Sequence, residues 1–312
     1  DLMLRTTDRY LGLAVAQEGV RVVGRQWQVV SRSRAEAHDR YQLGASPITD
    51  THEADAALAG VRAQQSAAEL ELSVQRDRLA GSTGLAQPRA RLPLAPLAPV
   101  EALPFWLAAA ESDNPRLRLL AQAVALAEQK LRQHSVAGRA TLDLVAQAGH
   151  ERIAGGGDFG SARNRSLNGM VGVQLNIPLY TGGMREAQER EAAERLNQAM
   201  AELELAREDV AQQVRATWQG LQTGAARLAA LQEGLVASRA RLDATRLGRE
   251  VGDRTTLDVL NAENAQADAE LALAQARSDQ VLTRLRLAAL TDRLDEALLT
   301  QVDATLAPEV PR

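Results

Sequence analysis

The sequence predicts a mainly α-helical protein built from long antiparallel helical hairpins that carries one amphipathic β-hairpin. Three observations predict it. Strong helix formers dominate the 312 residues while aromatics make up only 3%, a composition suited to thin, Ala-rich coiled-coil seams rather than a thick globular core. Apolar residues recur at three- and four-residue steps through most of the last third. Finally, the stretch GMVGVQLNIPLYTGG (169–183) alternates strictly: Val171, Val173, Leu175, Ile177 and Leu179 share one face, and Gly172, Gln174, Asn176 and Pro178 the other.

Each element can be justified in order. Residues 1–41 read as a helix on Leu4, Leu11, Val15, Val22 and Val29, interrupted by Gly44 to Pro47. A second helix spans 51–80, with Asp50 as a candidate cap and Gly81 and Gly84 at its end. Pro88, Pro93, Pro96, Pro99 and Pro104 make 86–104 an extended connector. Pro115, after Asn114, suits the first turn of a helix reaching His134. Residues 140–150 alternate again, with Leu142, Leu144, Ala146 and Ala148 on one face and Thr141, Asp143, Val145 and Gln147 on the other. A polar loop over 155–168 then joins two strands into a hairpin. Leu196, Met200, Leu203, Val210, Val214, Trp218, Leu221, Leu228 and Leu235 predict one helix over 184–250. At about 1.5 Å per residue it is a rod of roughly 100 Å, a length that only a coiled coil houses. Gly252 to Thr256 breaks it, and a last helix follows over 257–290 as its antiparallel partner.

An internal repeat runs through the chain. GASPITD (44–50) is echoed by GDRTTLD (252–258) at an offset of 208, and at that offset Tyr10 meets Trp218, Leu13 meets Leu221, Ala54 meets Ala262 and Ala57 meets Ala265. Only the second copy is preceded by a helix and strand pair (117–180). The counterpart would lie before residue 1, so the sequence is expected to be truncated on its N-terminal side.

Composition removes several function classes. A net charge of −4 does not suit a nucleic-acid binder, so no nucleic-acid partner is expected. The absence of cysteine excludes disulfides and thiol chemistry. No run reaches 18 apolar residues, so no helix spans a membrane. His38, His52, His134 and His150 lack metal-ligand spacing, the 155–160 glycines lack a phosphate loop's Gly-Lys-Ser/Thr ending, and no Ser-His-Asp grouping is evident. Neither metal, cofactor nor catalysis is expected.

A lone strand pair is marginal in water, and one with a single apolar face needs a special setting. A transmembrane β-barrel is such a setting, because closure satisfies every backbone group and only one face meets lipid; a strand pair packed on soluble helices is the alternative. In the barrel, Val171, Val173, Leu175, Ile177 and Leu179 face lipid, and Asp143, Gln174 and Asn176 face the lumen.

The strand closing in PLYTGG (178–183), the very long helix and the turn VGDRTTLDVL (251–260), preceded by the Asn114-Pro115 helix and the ATLDL strand (140–144), together resemble the TolC family of outer-membrane efflux proteins. The resemblance covers essentially the whole chain. It implies a homotrimer whose protomers each give four strands to a shared twelve-stranded barrel, with their helices forming an α-barrel tunnel through the periplasm of a Gram-negative bacterium. This chain holds two such strands. It further implies contact with outer-membrane lipid, a periplasmic adaptor (membrane fusion) protein and an inner-membrane transporter, and the export of drugs, small molecules or secreted proteins. The expected organisation is a first helical hairpin (1–85), a connector or equatorial region (86–114), a tunnel helix (115–137), a transmembrane β-hairpin (139–180), a second long helical hairpin (183–292) and a C-terminal tail (293–312). In the family the two hairpin turns constrict the duct. The matching residues are Thr49, Asp50, Arg254, Asp258 and Asn261, where Asp50 and Asp258 also suit helix N-caps. Arg249 stands where the family can have a Tyr, and Asn261 where it can have a second Asp. A soluble periplasmic coiled-coil adaptor or structural protein without a barrel is the other class of function that this pattern permits.

Overall fold

Long helices form where apolar residues keep to one stripe, and buried residues trace these stripes directly. In helix α1 (Leu2–Gln42), Val22, Gln26, Val30, Ser33 and Ala37 are buried at four- and three-residue steps. In α5 (Met184–Glu250), which runs 67 residues without interruption, Val214, Leu221, Leu235 and Leu242 are buried at multiples of seven, the seam of a coiled coil. The computed structural model describes residues 2–95, 99–136, 141–157, 160–177 and 180–306. Among these the remaining elements are α2 (Ile48–Thr83), α3 (Leu103–Asp113), α4 (Pro115–Val136), β1 (Thr141–Gly157), β2 (Gly160–Asn176), α6 (Thr256–Leu290) and α7 (Glu296–Thr305).

The chain divides into two units, Asp1–Pro115 with Glu208–Arg312, and Arg116–Arg207. In the first, α1 and α2 form an antiparallel hairpin, with Arg9 reaching the Arg78 carbonyl at one end and Arg34 pairing with Asp55 at 2.8 Å toward the other. Helix α5 is antiparallel to α6: Gln280 donates to the Leu221 carbonyl at 3.1 Å, Arg239 contacts Glu270 and Arg246 contacts Glu263. Helix α6 also runs antiparallel to α1, joined by Asp8–Arg286, Arg25–Glu270 and Gln26–Asn264. Apolar clusters fill these seams. Leu11, Val281, Leu282, Leu285 and Val302 join α1, α6 and α7, while Val23, Val30, Val61 and Leu260 join α1, α2 and α6.

Two helices lie where sequence reading expects none. Helix α3 forms within the connector because Pro104 sits in its first turn and Trp106, Ala109 and Ala110 are buried. Helix α7 forms within the C-terminal tail, capped by the Asp295 side chain, because Val302, Leu298 and Leu299 join the α1–α6 cluster. Both are too short to be stable alone and owe their existence to packing. The connector is anchored to α7, α3 and α5: Leu94 N donates to the Thr305 carbonyl at 2.9 Å, and Trp106 and Trp218 both donate to the Glu101 carbonyl.

The second unit contains α4, the first part of α5 and a two-stranded antiparallel sheet, β1–β2. Where a polar loop is expected over 155–168, the described residues are strand instead. The ladder continues through Gly155–Ala162 to Gly157–Gly160, because backbone pairing needs no side-chain alternation. Asp158 and Phe159 of that expected loop lie outside the described residues, as do Ala140, Pro178 and Leu179.

Glu270, whose side chain is 6% exposed, accepts from Arg25 on α1, from Arg239 on α5 at 3.2 Å and from Gln266 at 3.1 Å. Burial alone would raise its pKa, but the donation from Gln266 and the two guanidinium groups outweighs burial and holds it below the usual glutamate value of 4.5. A carboxylate with a depressed folded pKa stabilises the fold above its unfolded pKa and loses that contribution as pH falls through the folded value. Acidification below the ordinary glutamate range is therefore expected to loosen the α1–α5–α6 seam. Glu270→Gln should lose about 1–2 kcal/mol at neutral pH, since both arginines are half-exposed, and should show a flatter acid limb when unfolding is followed by circular dichroism.

Candidate functional site

The two helix-hairpin turns are the first candidate site, and they are copies of each other in atomic detail. Three backbone bonds close the first turn: Leu43 N to Asp39 O, Gly44 N to Tyr41 O and Ala45 N to Arg40 O. The second turn has Val251 N to Leu247 O, Gly252 N to Arg249 O and Asp253 N to Gly248 O. Every donor and acceptor is displaced by the same 208 positions. Gly44 (φ 70°) and Gly252 (φ 84°) occupy the left-handed region that each turn requires. The repeat extends beyond the turns. Leu13 and Leu221, and Ala54 and Ala262, are all buried, and Gly84 (φ 74°) and Asp292 (φ 54°) share the left-handed conformation just past α2 and α6.

Neither Asp50 nor Asp258 is an N-cap. Helix α2 starts after Pro47 and α6 after Thr255, so both aspartates fall at the third helical position, in the first turn. The second copy has a full capping box: Asp258 N donates to Thr255 Oγ1 at 3.1 Å, and Thr255 N donates to Asp258 Oδ2 at 2.9 Å. The donation from Thr255 N, a second from Thr255 Oγ1 at 3.0 Å, and after them the positive charge of Arg254 and Arg241 hold the Asp258 carboxyl below the usual aspartate range. Pro47 has no capping side chain, so the first copy starts without this lock. The Thr-x-x-Asp spacing of 255–258 was the sequence signal for the box.

Thr49, Arg254 and Asn261 are exposed. Asn261 lies three residues after Asp258, on the same face of α6. Arg254 donates its backbone N–H to the Gly248 carbonyl at 3.2 Å, and a Cβ at Gly248 would approach Arg254 Cγ to 2.8 Å, so this glycine leaves room for the arginine stem. Among the described residues Arg254 makes no ion pair with Asp50, Asp258 or any other carboxylate. An arginine that does link the two hairpins close to the turns is Arg249. It continues the seven-residue seam of α5 after Leu242, is only 14% exposed, and lies 2.5 Å from Glu36 on α1. Sequence reading marked Arg249 only as a departure; its place in the heptad was the signal for a seam contact.

The β-hairpin is the second candidate site. Register pairs Leu142 with Leu175, Leu144 with Val173 and Ala146 with Val171, which puts the apolar rows of both strands on one face. Asp143 faces Gln174 and Thr141 faces Asn176 on the other face. Leu144 and Val171 are each 78% exposed, and Leu142, Val173, Leu175 and Ile177 are exposed too. The apolar row is thus continuous across both strands and uncovered within the chain. No helix among the described residues is long and apolar enough to cross a membrane, and no group of three His, Cys, Asp or Glu among them could hold a metal ion.

Residues 106–293 match the family model described as outer membrane efflux protein. The chain is 34% identical to the outer membrane efflux protein BepC of Brucella suis over 202 residues, covering 65% of this chain and 43% of that protein. It is 28% identical to the outer membrane protein TolC of Vibrio cholerae, covering 98% of this chain and 70% of that one, and 29% identical to the alkaline protease secretion protein AprF of Pseudomonas aeruginosa, covering 97% and 64%. Among solved structures, the CmeC outer membrane channel of Campylobacter jejuni superposes with a TM-score of 0.79 at 12% identity, covering 97% of this chain and 66% of that one. The fold is shared, and the chain spans less than half the length of the first of these relatives.

The difference between the two turns can be measured. Thr255→Ala should speed hydrogen exchange of the first-turn amides of α6 about fivefold, the equivalent of a lost cap of about 1 kcal/mol. The matching amides of α2, which lack a side-chain cap, should be unchanged.

Proposed function

This chain belongs to the outer membrane efflux protein family, and on that basis we propose that it is part of a passive, non-enzymatic exit duct of a tripartite export system. In this reading three copies assemble, their strands closing a shared barrel in the outer membrane and their helices lining a tunnel in the periplasm. The duct is met from below by a periplasmic adaptor protein and an inner-membrane transporter, which selects the cargo. The observation that carries the reading is the exposed apolar row on one face of β1–β2 opposite a polar row. A closed barrel is the arrangement in which such a face meets lipid while every backbone group stays bonded. Val171, Val173, Leu175, Ile177 and Leu179 then face lipid, and Asp143, Gln174 and Asn176 the lumen.

In the two helix-hairpin turns, Thr49, Asp50, Arg254, Asp258 and Asn261 form the constriction. Arg254 is exposed and has no ion pair among the described residues, which supports a partner on a neighbouring protomer, where a charge-assisted contact would be directional and breakable. Aspartates repeated by threefold symmetry would favour cations.

The membrane assignment is tested in the full-length protein by two arginine substitutions. Leu175→Arg should abolish most detergent-stable trimer, since a charge at mid-membrane on the lipid face costs about 2–4 kcal/mol, while Gln174→Arg on the lumen face should be tolerated. Equal trimer yields would overturn the assignment of the two faces.

The constriction is tested in planar bilayers. Arg254→Ala, or Asp50→Ala combined with Asp258→Ala, should raise single-channel conductance without lowering trimer yield. Asp258→Asn is the sharper variant, because its amide oxygen can still accept from Thr255 N while the charge is gone. If it leaves conductance and cation preference unchanged, Asp258 serves the capping box alone.

A further inference from the structure

The apolar row of the β-hairpin ends in a pair of arginines. Counting away from the ends of the strands that join α4 and α5, its cross-strand pairs are Leu142–Leu175, Leu144–Val173, Ala146–Val171, Ala148–Gly169, His150–Leu167 and then Arg152–Arg165. Both arginines are exposed, and neither has an ion pair with a described carboxylate. Glu151 belongs to the opposite face, across from Ser166. Like charges directly opposite one another on a sheet repel, so this pair is disfavoured unless something neutralises it.

Its height along the hairpin indicates what does. Twelve residues separate Ile177, the last described residue of the lipid-facing row, from Arg165; at about 3.4 Å each they span about 41 Å along the strand. Tilted by about 40°, as barrel strands are, that becomes roughly 31 Å along the membrane normal, a few ångströms beyond the apolar band of about 25 Å of a membrane barrel, at the depth of the headgroups. The arginines therefore stand at the rim of the band, above a row of aliphatic side chains, on the outer surface.

We propose that Arg152 and Arg165 form a binding site for the phosphate of an anionic lipid headgroup in the leaflet around the outer end of the hairpin, an inference that rests on the membrane reading above. Two guanidinium forks can each bond a phosphate bidentately. One phosphate between them removes the cross-strand repulsion, while the lipid's acyl chains lie along Val171, Val173 and Leu175 below. The exposed aliphatic row and the two arginines are complementary to the two halves of one phosphorylated lipid.

The test uses the full-length trimer in phosphatidylcholine nanodiscs doped with lipid A or with dephosphorylated lipid A, with retained lipid read by native mass spectrometry. The wild type should retain the phosphorylated lipid preferentially. Arg152→Gln with Arg165→Gln should weaken that retention about thirty-fold, the product of two interfacial arginines. Arg165→Glu keeps the hairpin folded by placing opposite charges across the ladder; it should lose lipid A binding while resisting heat better than the wild type in discs without lipid A. Equal lipid A retention by the wild type and Arg165→Glu would overturn the proposal, as would equal retention of the dephosphorylated lipid, or displacement of lipid A by millimolar inorganic phosphate. Failure of the wild type to insert would overturn the membrane reading as well, whereas insertion with unchanged lipid retention overturns this inference alone.

Discussion

The carboxylate of Glu270 sits where α1, α5 and α6 meet, and the organisation of the larger unit depends on that junction. The residue lies in the buried stripe of α6, between Glu263 and the mainly apolar run from Leu273 to Ala288. A buried carboxylate costs several kcal/mol unless it is paired, and its two partners come from different helices, Arg25 and Arg239. Aliphatic contacts alone would let these helices slide past one another, since Ala and Leu seams are nearly uniform along their length. An ion pair inside the seam sets one register. Glu263 with Arg246 repeats the device one step nearer the turns, and Arg249 with Glu36 repeats it once more.

That register matters because the functional reading places charged residues in the two turns that end these helices. The two turns hold their charged residues through backbone geometry that is the same in both copies, yet only the second has a side-chain lock, from Thr255 and Asp258. The first starts on Pro47, whose fixed φ sets the chain direction without any side-chain bond. The duplicated element has thus kept its backbone and diverged in how its helix start is secured. At the strand pair the constraint is solvent rather than register. Seven large apolar residues of the row are largely exposed within one chain, an arrangement that calls for a non-aqueous neighbour on that face.

Few aromatic residues are present, and several of them gather around the connector. Trp106 and Trp218 donate to one carbonyl, that of Glu101, Phe105 packs edge-on against Trp106, and Arg284 and Arg293 lie over the two rings. The described residues of the Pro-rich segment before α3 have no regular structure to satisfy their backbone. These ring and carbonyl contacts, with the bridge from Pro93 to Leu306, fasten it to the helices.

The helical rods, the strand faces and the duplicated turns were legible in the amino-acid order, because each is written as a local period or a spacing. A helix repeats apolar residues every three or four positions and a strand every two, and the offset of 208 survives in the residues that the turn geometry requires, Gly44 and Gly252 above all. Membership of the efflux family was legible from the same stretches. Helices α3 and α7 depended on tertiary packing, since ten or eleven residues acquire a helix only when packed. So did the continuation of the strand pair through 155–157, where glycine and polar residues pair by backbone alone. The partners of Arg249, Glu263 and Glu270 lie on other helices, and no local period encodes which charge meets which across a seam.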